Sequence, residues 1–234
     1  MTFPKVKIAL VAATLFAGVQ AQAALTLYTS QDAFAAAVAA MMPTLSGTDS
    51  FDDLSARVFA GNGPLARAAG GIGYSVAAGP ESNTLFGAGS MSDAWLSTDR
   101  SGDSLSFGSF APGVFAAGMN LFNSDIRGRF ERLGYIELTA TDTEGVARAI
   151  IRSRDMSPVS FLGFISSTEI TSLKVTPDVV RANVWPAVNN LTLASAVPEP
   201  ETYLMMLAGI AAIGFMARRR RTTVCAFRRI DSLL

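Results

Sequence analysis

The sequence contains no histidine and a single cysteine, and both shortages narrow what the protein can do. Histidine is the usual general base near neutral pH and the commonest metal ligand. Its absence excludes Ser–His and Cys–His nucleophilic sites as they are normally built. The one cysteine, Cys225, lies close to the carboxyl terminus. The central part of the chain therefore has no internal disulfide and depends on burial of its core.

Charged residues are also scarce, at 16% of 234 residues, while half of the residues are apolar. Between Ala24 and Ala196 the chain has 11 basic and 16 acidic residues, a net charge of −5. Nucleic acid binding relies on clustered positive charge, so this mildly acidic segment gives no support for it. We therefore expect no nucleic acid partner. The length of this segment suits one domain with a sizeable core.

The first 23 residues have the three parts of a secretory signal peptide. Two lysines form a positive leader, and the apolar run Ile8–Val19 follows them. Ala21 and Ala23 form an A-x-A cleavage site, which predicts that the mature chain begins at Ala24. The run is short for a membrane span. We therefore expect signal peptidase to cut here and the secretion machinery to export the chain.

Residues 197–221 form a second segment of unusual composition. Pro198 and Pro200 restrict the backbone around Glu199, which predicts an extended hinge. Tyr203–Ala217 follows without a charge, and as a helix it would be roughly 22 Å long at about 1.5 Å per residue. A cluster of arginines after it predicts a stop-transfer anchor with a cytoplasmic carboxyl end. The cluster consists of Arg218, Arg219, Arg220 and Arg221.

This order of hinge, apolar segment and arginines resembles the PEP-CTERM protein-sorting signal of Gram-negative bacteria. The resemblance implies recognition by exosortase, a membrane transpeptidase that cuts near the Pro-Glu-Pro. Pro198, Glu199 and Pro200 would then be recognition residues and not catalytic ones. It also implies inner-membrane anchoring with the domain in the periplasm, followed by transfer to the cell surface. Thr222–Leu234 extends beyond the usual end of such tails, and we expect it to be a short cytoplasmic tail.

The domain at 24–196 has one predicted helix, which follows its first predicted strand. Thr29 or Ser30 can accept the first hydrogen bond of that helix. Phe34, Val38 and Met41 recur at helical spacing, which predicts that they lie on one face of this helix. A proline follows and ends the helix.

The remainder of the domain consists of short apolar runs separated by turn residues. This texture is typical of an antiparallel sandwich, and Asp142–Gly145 is predicted to be a hairpin turn. The segment also resembles the middle domains that precede this sorting tail, which implies a jelly-roll or lectin-like β-sandwich. The predicted strands are Leu25–Thr29, Ile72–Val76, Ala94–Ser97, Ser104–Phe107, Val114–Phe122, Tyr135–Thr141, Val146–Ile151, Val159–Ile165, Ile170–Val175 and Asn190–Ala194. We thus expect a mainly β domain flanked by a signal peptide and a transmembrane helix.

Three aspartates lie close together in the stretch "TDSFDDL" and are candidate calcium ligands. Asp49, Asp52 and Asp53 supply the hard oxygen atoms that Ca²⁺ prefers. The stretch lacks the spacing of an EF-hand loop or a nonapeptide repeat. The alternative interpretation is that the three are turn residues. No other cofactor is expected.

The two tryptophans are the candidate carbohydrate-binding residues. Trp95 follows Asp93, and Trp185 lies near Asn183 and Asn189, so each combines an aromatic ring with polar neighbours. The alternative is that both are packing residues, which is common in a small sandwich. Glycoside hydrolysis would need two facing carboxylates, and the sequence selects no such pair.

The sequence therefore predicts a non-enzymatic exported protein of the cell surface or extracellular matrix. Its predicted parts are a signal peptide at 1–23, a β-sandwich at 24–196, a sorting signal at 197–221 and a tail at 222–234. The alternative is a secreted carbohydrate-binding module associated with exopolysaccharide.

Overall fold

The computed structural model describes residues 25–54, 58–79, 81–90, 92–178, 183–196 and 209–211. Within these ranges, no helix is both long and apolar enough to cross a membrane. Several predicted features lie outside the described residues: the signal peptide with Ala21, Ala23 and Ala24, the recognition residues Pro198, Glu199 and Pro200, Arg218–Arg221, and the tail at 222–234.

The described residues form a two-sheet antiparallel β-sandwich, which confirms the mainly β prediction. Within the sandwich, an α-helix at Gln31–Ala40 and a short 3-10 turn at Ser153–Asp155 accompany the strands. The elements are β1 (Thr26–Tyr28), α1 (Gln31–Ala40), β2 (Leu45–Asp49), β3 (Val58–Asn62), β4 (Leu65–Ala69), β5 (Ile72–Gly79), β6 (Thr84–Ser90), β7 (Asp93–Thr98), β8 (Ser104–Gly108), β9 (Val114–Ser124), β10 (Phe130–Glu131), β11 (Tyr135–Asp142), β12 (Val146–Arg152), β13 (Phe161–Ile165), β14 (Ile170–Pro177) and β15 (Trp185–Ser195).

The first sheet has the strand order β1-β13-β9-β15-β7-β6-β3, with β10 added beside β9 and β2 beside β15. The second sheet has the order β12-β11-β14-β8-β5-β4. The two sheets enclose one large apolar core between them. β9 and β15 pair at the centre of the first sheet. The termini of these two strands mark the two ends of the sandwich.

The burial pattern shows why the two sheets have different sequences. In β11 the side chains alternate between buried and half-buried, because one face of the second sheet is open to solvent. All eleven residues of β9 are buried. A second apolar cluster joins α1 to the outer face of the first sheet through Phe34, Phe115 and Phe161. β9 is therefore covered on both faces, and it reads as a nearly continuous apolar run.

The helix α1 begins as predicted, with the Ser30 side chain accepting a hydrogen bond from the Ala33 N–H at 3.3 Å. Phe34 and Val38 are buried, whereas the Met41 side chain is 48% exposed. The helix ends at Ala40, so Met41 is the residue that caps its carboxyl end.

Five strands escape the sequence prediction: β2, β3, β4, β6 and β10. Four of them are rich in alanine, glycine and serine or only two residues long, so their intrinsic strand preference is low. They form because neighbouring strands supply hydrogen-bond partners. β6 illustrates this, since it lies between β3 and β7 and pairs with both.

The last strand, β15, is longer than predicted and changes partner at Asn190. Asn190 has a φ of +52°, and the register with β9 shifts between Asn189 and Thr192, which indicates a β-bulge. Before the bulge, Val188 pairs with Leu96 of β7; after it, the strand pairs with β2. The predicted strand Asn190–Ala194 covers only this second part.

The predicted hairpin turn between β11 and β12 is present. The Asp142 N–H donates to the Gly145 carbonyl, and its carboxylate accepts hydrogen bonds from the N–H groups of Glu144 and Gly145. Ser166 donates a further hydrogen bond to this carboxylate at 2.6 Å. Burial opposes ionisation, but these hydrogen bonds outweigh it and hold the pKa of Asp142 below its usual range.

Candidate functional site

The sandwich has two ends that are defined by β9 and β15. At the exit end, Val114 pairs with Ser195, where β15 finishes. At the distal end, Ser124 pairs with Trp185, where β15 begins. The eleven residues of β9 separate the two ends by roughly 33 Å at about 3.3 Å per residue.

Two adjoining pockets at the distal end form the candidate site. They have volumes of ≈ 360 and ≈ 490 Å³, and both are lined by Trp185 and Asp99. Asp125, Ile126 and Arg127 contribute to the smaller pocket. The larger pocket is lined further by Glu81, Arg100, Ser101 and Gly102. We refer to the two together as the Trp185 cleft.

Hydrogen bonds hold Trp185 between the two pockets. Its indole N–H donates to the Asp99 carbonyl at 3.1 Å. On either side along the chain, the Gly102 N–H donates to the Val184 carbonyl and the Ser97 hydroxyl donates to the Pro186 carbonyl. These hydrogen bonds fix Trp185 through its own strand, β15, and through the loop after β7. Trp185 is only partly buried.

The loop after β9 forms the wall of the smaller pocket around Asp125. The Asp125 carboxylate accepts hydrogen bonds from the N–H groups of Arg127 and Arg129, and from the Arg129 guanidinium at 3.0 and 2.8 Å. Burial opposes ionisation of Asp125, but these hydrogen bonds outweigh it and hold its pKa below the usual range. The loop is therefore ordered by one ionised carboxylate, and Arg127 extends from it into the pocket lining.

The wall of the larger pocket depends on Asp103, which is fully buried. Its carboxylate accepts hydrogen bonds from the N–H groups of Glu81, Ser82 and Ser104. Buried carboxylates need such partners, so Asp103 fixes the segment that presents Glu81. Glu81 itself is exposed.

The cleft combines an aromatic ring with hydrogen-bonding groups of both kinds. Glu81 and Asp99 offer carboxylate acceptors, while Arg100 and Arg127 offer donors. A partly exposed indole face with donors and acceptors around it suits a ligand that has one apolar face and several hydroxyl groups. In the part of the chain that the structure describes, no histidine, cysteine or carboxylate side chains form a group of three or more that could hold a metal ion.

The structure places Trp95 apart from this cleft. Its ring packs edge-on against Phe122, with 5.1 Å between ring centroids, and it adjoins the apolar core. Gly89 lies directly against the ring, where a Cβ atom would come within 2.7 Å of it. Trp95 lines neither pocket, so of the two candidate tryptophans the structure gives only Trp185 a concave and polar setting.

The three candidate calcium ligands lie instead around an arginine. The Arg67 guanidinium contacts Asp49 at 2.7 Å and Asp53 at 2.6 Å, and the Asp52 carboxylate accepts a hydrogen bond from the Ala94 N–H. The hydrogen bond from Arg67 lowers the pKa of Asp53. Calcium binding here stays a prediction, and an ion would have to displace Arg67 from two of the three aspartates.

Asp49 is also the centre of a buried network that joins the two sheets. It belongs to β2 of the first sheet, whereas Arg67 and Tyr74 belong to β4 and β5 of the second. The Tyr74 hydroxyl donates to Asp49 at 2.6 Å; burial first, and this hydrogen bond second, raise the pKa of Tyr74. Arg67 also lies 5.0 Å from the ring centroid of Phe51, a buried residue with a φ of +61°.

Fold and site together define a two-sheet β-sandwich with a polar aromatic cleft at the distal end, where its last strand begins. The family model described as PEP-CTERM protein-sorting motif matches residues 196–221, which follow the sandwich in the chain. The chain is thus a protein with a PEP-CTERM sorting motif, as its sequence predicts. The motif marks an exported, membrane-associated precursor that is sorted to the cell surface and processed by an exosortase-type enzyme.

Comparison with curated proteins finds no match to the chain. Among solved structures, one titled "Structure of TmCBM61 in complex with beta-1,4-galactotriose" shares 13% sequence identity with it. The alignment covers 52% of this chain and 88% of that one, with a TM-score of 0.27.

Proposed function

We propose that this chain is a non-enzymatic exported protein that an exosortase-type transpeptidase cuts near Pro198–Pro200. The observation that carries the proposal is the position of the motif relative to the fold. The Ala196 N–H donates to the Gly113 carbonyl at 3.0 Å, and the matched motif begins at this same residue. The sandwich core involves no residue beyond Ala194 among those described, so cleavage after Ala196 leaves it intact.

The proposal includes the route of the chain. Signal peptidase cuts before Ala24, the apolar segment then holds the domain on the periplasmic side of the inner membrane, and exosortase passes it to the cell surface. There it serves as a surface or extracellular-matrix protein. The absence of histidine supports a non-catalytic role, because it removes the most common acid–base catalyst.

Intact-mass analysis of the protein recovered from its native host tests this route. We expect a species that begins at Ala24 and ends within or just before the Pro-Glu-Pro, because both predicted cuts flank the folded domain. An attached glycan or lipid would add to that mass. Recovery of only the uncut 234-residue polypeptide from the cytosol would contradict export and sorting together.

A second candidate function, carbohydrate binding, is favoured by one specific observation. Trp185 is fixed between two pockets that carry both carboxylates and guanidinium groups. An indole can stack on the apolar face of a sugar ring while the surrounding groups bind its hydroxyls. We therefore propose that the Trp185 cleft binds a saccharide of the extracellular layer.

Replacement of Trp185 by alanine tests this second function. An array of neutral and acidic oligosaccharides is first used to find a saccharide that binds the processed protein. On that saccharide we expect W185A to weaken binding about tenfold or more, which is ~1.4 kcal/mol, since aromatic residues in central pockets dominate binding free energies. Isothermal titration calorimetry measures the dissociation constants.

The matched control is the other tryptophan. Trp95→Phe keeps an aromatic ring against Phe122 but lies outside the cleft, so it should leave the affinity unchanged. Equal affinity of W185A and the unchanged protein would show that the saccharide binds elsewhere. An array without any binding saccharide would contradict this second function and leave sorting unaffected.

A further inference from the structure

The exit end of the sandwich exposes apolar side chains beside the strand that leads into the sorting motif. Met42 is 85% exposed and has a φ of +48°, and Met41 and Leu45 are 48% and 41% exposed. The Thr44 N–H donates to the Ser195 carbonyl at 3.0 Å, and Leu45 pairs with Ser195 in the sheet. This apolar edge, formed by Met41, Met42 and Leu45, therefore borders the last residues of β15.

The loops next to the apolar edge carry no charge. Residues 41–45, 70–71 and 109–113 contain no acidic or basic side chain. Contacts hold these loops together: the side chain of Leu45 lies next to Gly71, and the Ala111 N–H donates to the Gly73 carbonyl. The surface that these three segments themselves contribute is thus apolar or neutral.

Acidic residues of the exit end belong to two other loops. Glu144 lies in the turn between β11 and β12, and Glu169 precedes β14. The Glu169 carboxylate accepts a hydrogen bond from the Gly113 N–H at 3.2 Å. Neither loop, residues 142–145 or 166–169, contains an arginine or lysine. We therefore expect no electrostatic attraction between these two loops and anionic lipid headgroups.

Chain length limits how far the exit end of the domain can lie from the membrane. Between Ala196 and Tyr203, where the apolar segment begins, there are seven peptide steps, which reach at most roughly 25 Å when fully extended. The sandwich is longer than this, since β9 alone spans roughly 33 Å. A domain tethered through Ala196 therefore cannot stand on its distal end, and its exit end stays within roughly 25 Å of the lipid surface.

We propose that the apolar edge formed by Met41, Met42 and Leu45 rests on the lipid surface while the chain is anchored, so that the Trp185 cleft faces away from the membrane. This inference rests on the proposed function, because it requires the anchored precursor. Insertion of these side chains at the interface follows from their apolar surface, and it needs no anionic lipid. Cleavage by exosortase ends the contact, because the tether then no longer holds the domain at the membrane.

Fluorescence quenching by lipid tests the proposed contact. The precursor is recovered from membranes of an expressing host, with Cys225→Ser and a single new cysteine at Met42→Cys. The cysteine carries a fluorophore, and the chain is reconstituted into phosphatidylcholine vesicles that contain a headgroup-labelled quencher lipid. The matched control is Ile126→Cys at the distal end, because Ile126 is also apolar and is 79% exposed.

We expect at least about threefold stronger quenching at position 42 than at position 126, since interfacial side chains lie within about 5–10 Å of the headgroup boundary. Addition of phosphatidylglycerol should leave the ratio unchanged. Met41→Gln together with Leu45→Gln should lower quenching at position 42 towards the value at position 126.

The outcomes separate the inference from the proposed function. Equal quenching at both positions, in a chain that resists carbonate extraction from the vesicles, overturns the contact while anchoring stands. Quenching at position 42 that requires phosphatidylglycerol also overturns it, because the contact would then not be apolar. A precursor that carbonate extracts from the host membranes overturns the anchoring itself, and the inference with it.

Discussion

Cells that express the chain with Pro198, Glu199 and Pro200 all replaced by alanine are expected to accumulate the uncut precursor and to lose the surface form. Proline disfavours helical backbone, so the sequence predicts an extended segment here, the conformation in which peptides commonly lie along a binding surface. Alanine has the highest helix propensity, so three alanines would let the apolar segment continue as a helix towards the domain. The substitution also removes the carboxylate of Glu199.

The expected fall in mature protein is about tenfold or more, which equals a loss of ~1.4 kcal/mol or more in stabilisation of the cleavage step. Pulse-chase labelling followed by fractionation measures precursor and product over time. The matched control replaces Glu201 and Thr202 by alanine, which changes the same segment without touching the Pro-Glu-Pro. Normal amounts of mature protein from the triple variant would show that this chain is not sorted through these three residues.

The second large effect is expected at the buried ion pair that joins the two sheets. Asp49→Asn should lower the free energy of unfolding by about 3 kcal/mol, because it leaves the charge of Arg67 without its buried partner. Asp49 accepts hydrogen bonds from Arg67 Nε and Nη2, Tyr74 Oη and the Phe51 N–H. Asparagine keeps the shape of the side chain but supplies one carbonyl oxygen and no charge.

Urea denaturation of the processed protein measures this loss of stability. Asp155→Asn is the matched control, because Asp155 pairs with Arg154 at 3.1 Å on an exposed surface. Removal of an exposed pair should change stability by less than about 0.5 kcal/mol. If D49N and D155N lose similar amounts, the Asp49–Arg67 pair does not tie the sheets together, and the core alone does so.

Sequence patterns predicted those strands whose own composition favours extended structure. β11 alternates strictly, and β9 is a long run of apolar residues, so both were found close to their true bounds. β4, with the sequence LARAA, and β6, with TLFGAGS, were missed. Alanine and glycine have low strand propensity, and these segments become strands through hydrogen bonds from neighbours that are distant in the chain.

The candidate cleft was only partly accessible to sequence reasoning. Trp185 was selected because exposed aromatic residues bind sugars, but the sequence placed Trp95 on equal terms. The cleft also contains Glu81, Asp99 and Arg127, which come from three separate loops. No spacing in the sequence brings these loops together, because their proximity depends on the order of strands in the sheet.

The sequence by itself determined the sorting motif. That motif depends on local composition, namely two prolines, an apolar segment and four arginines in succession. It can therefore be recognised without knowledge of any tertiary contact. Tertiary structure alone decided that Asp49 binds Arg67, that Met42 borders the exit strand and that Trp185 lies at the far end. Each of these depends on which distant segments pair within the sandwich, and pairing is set by packing of the whole core.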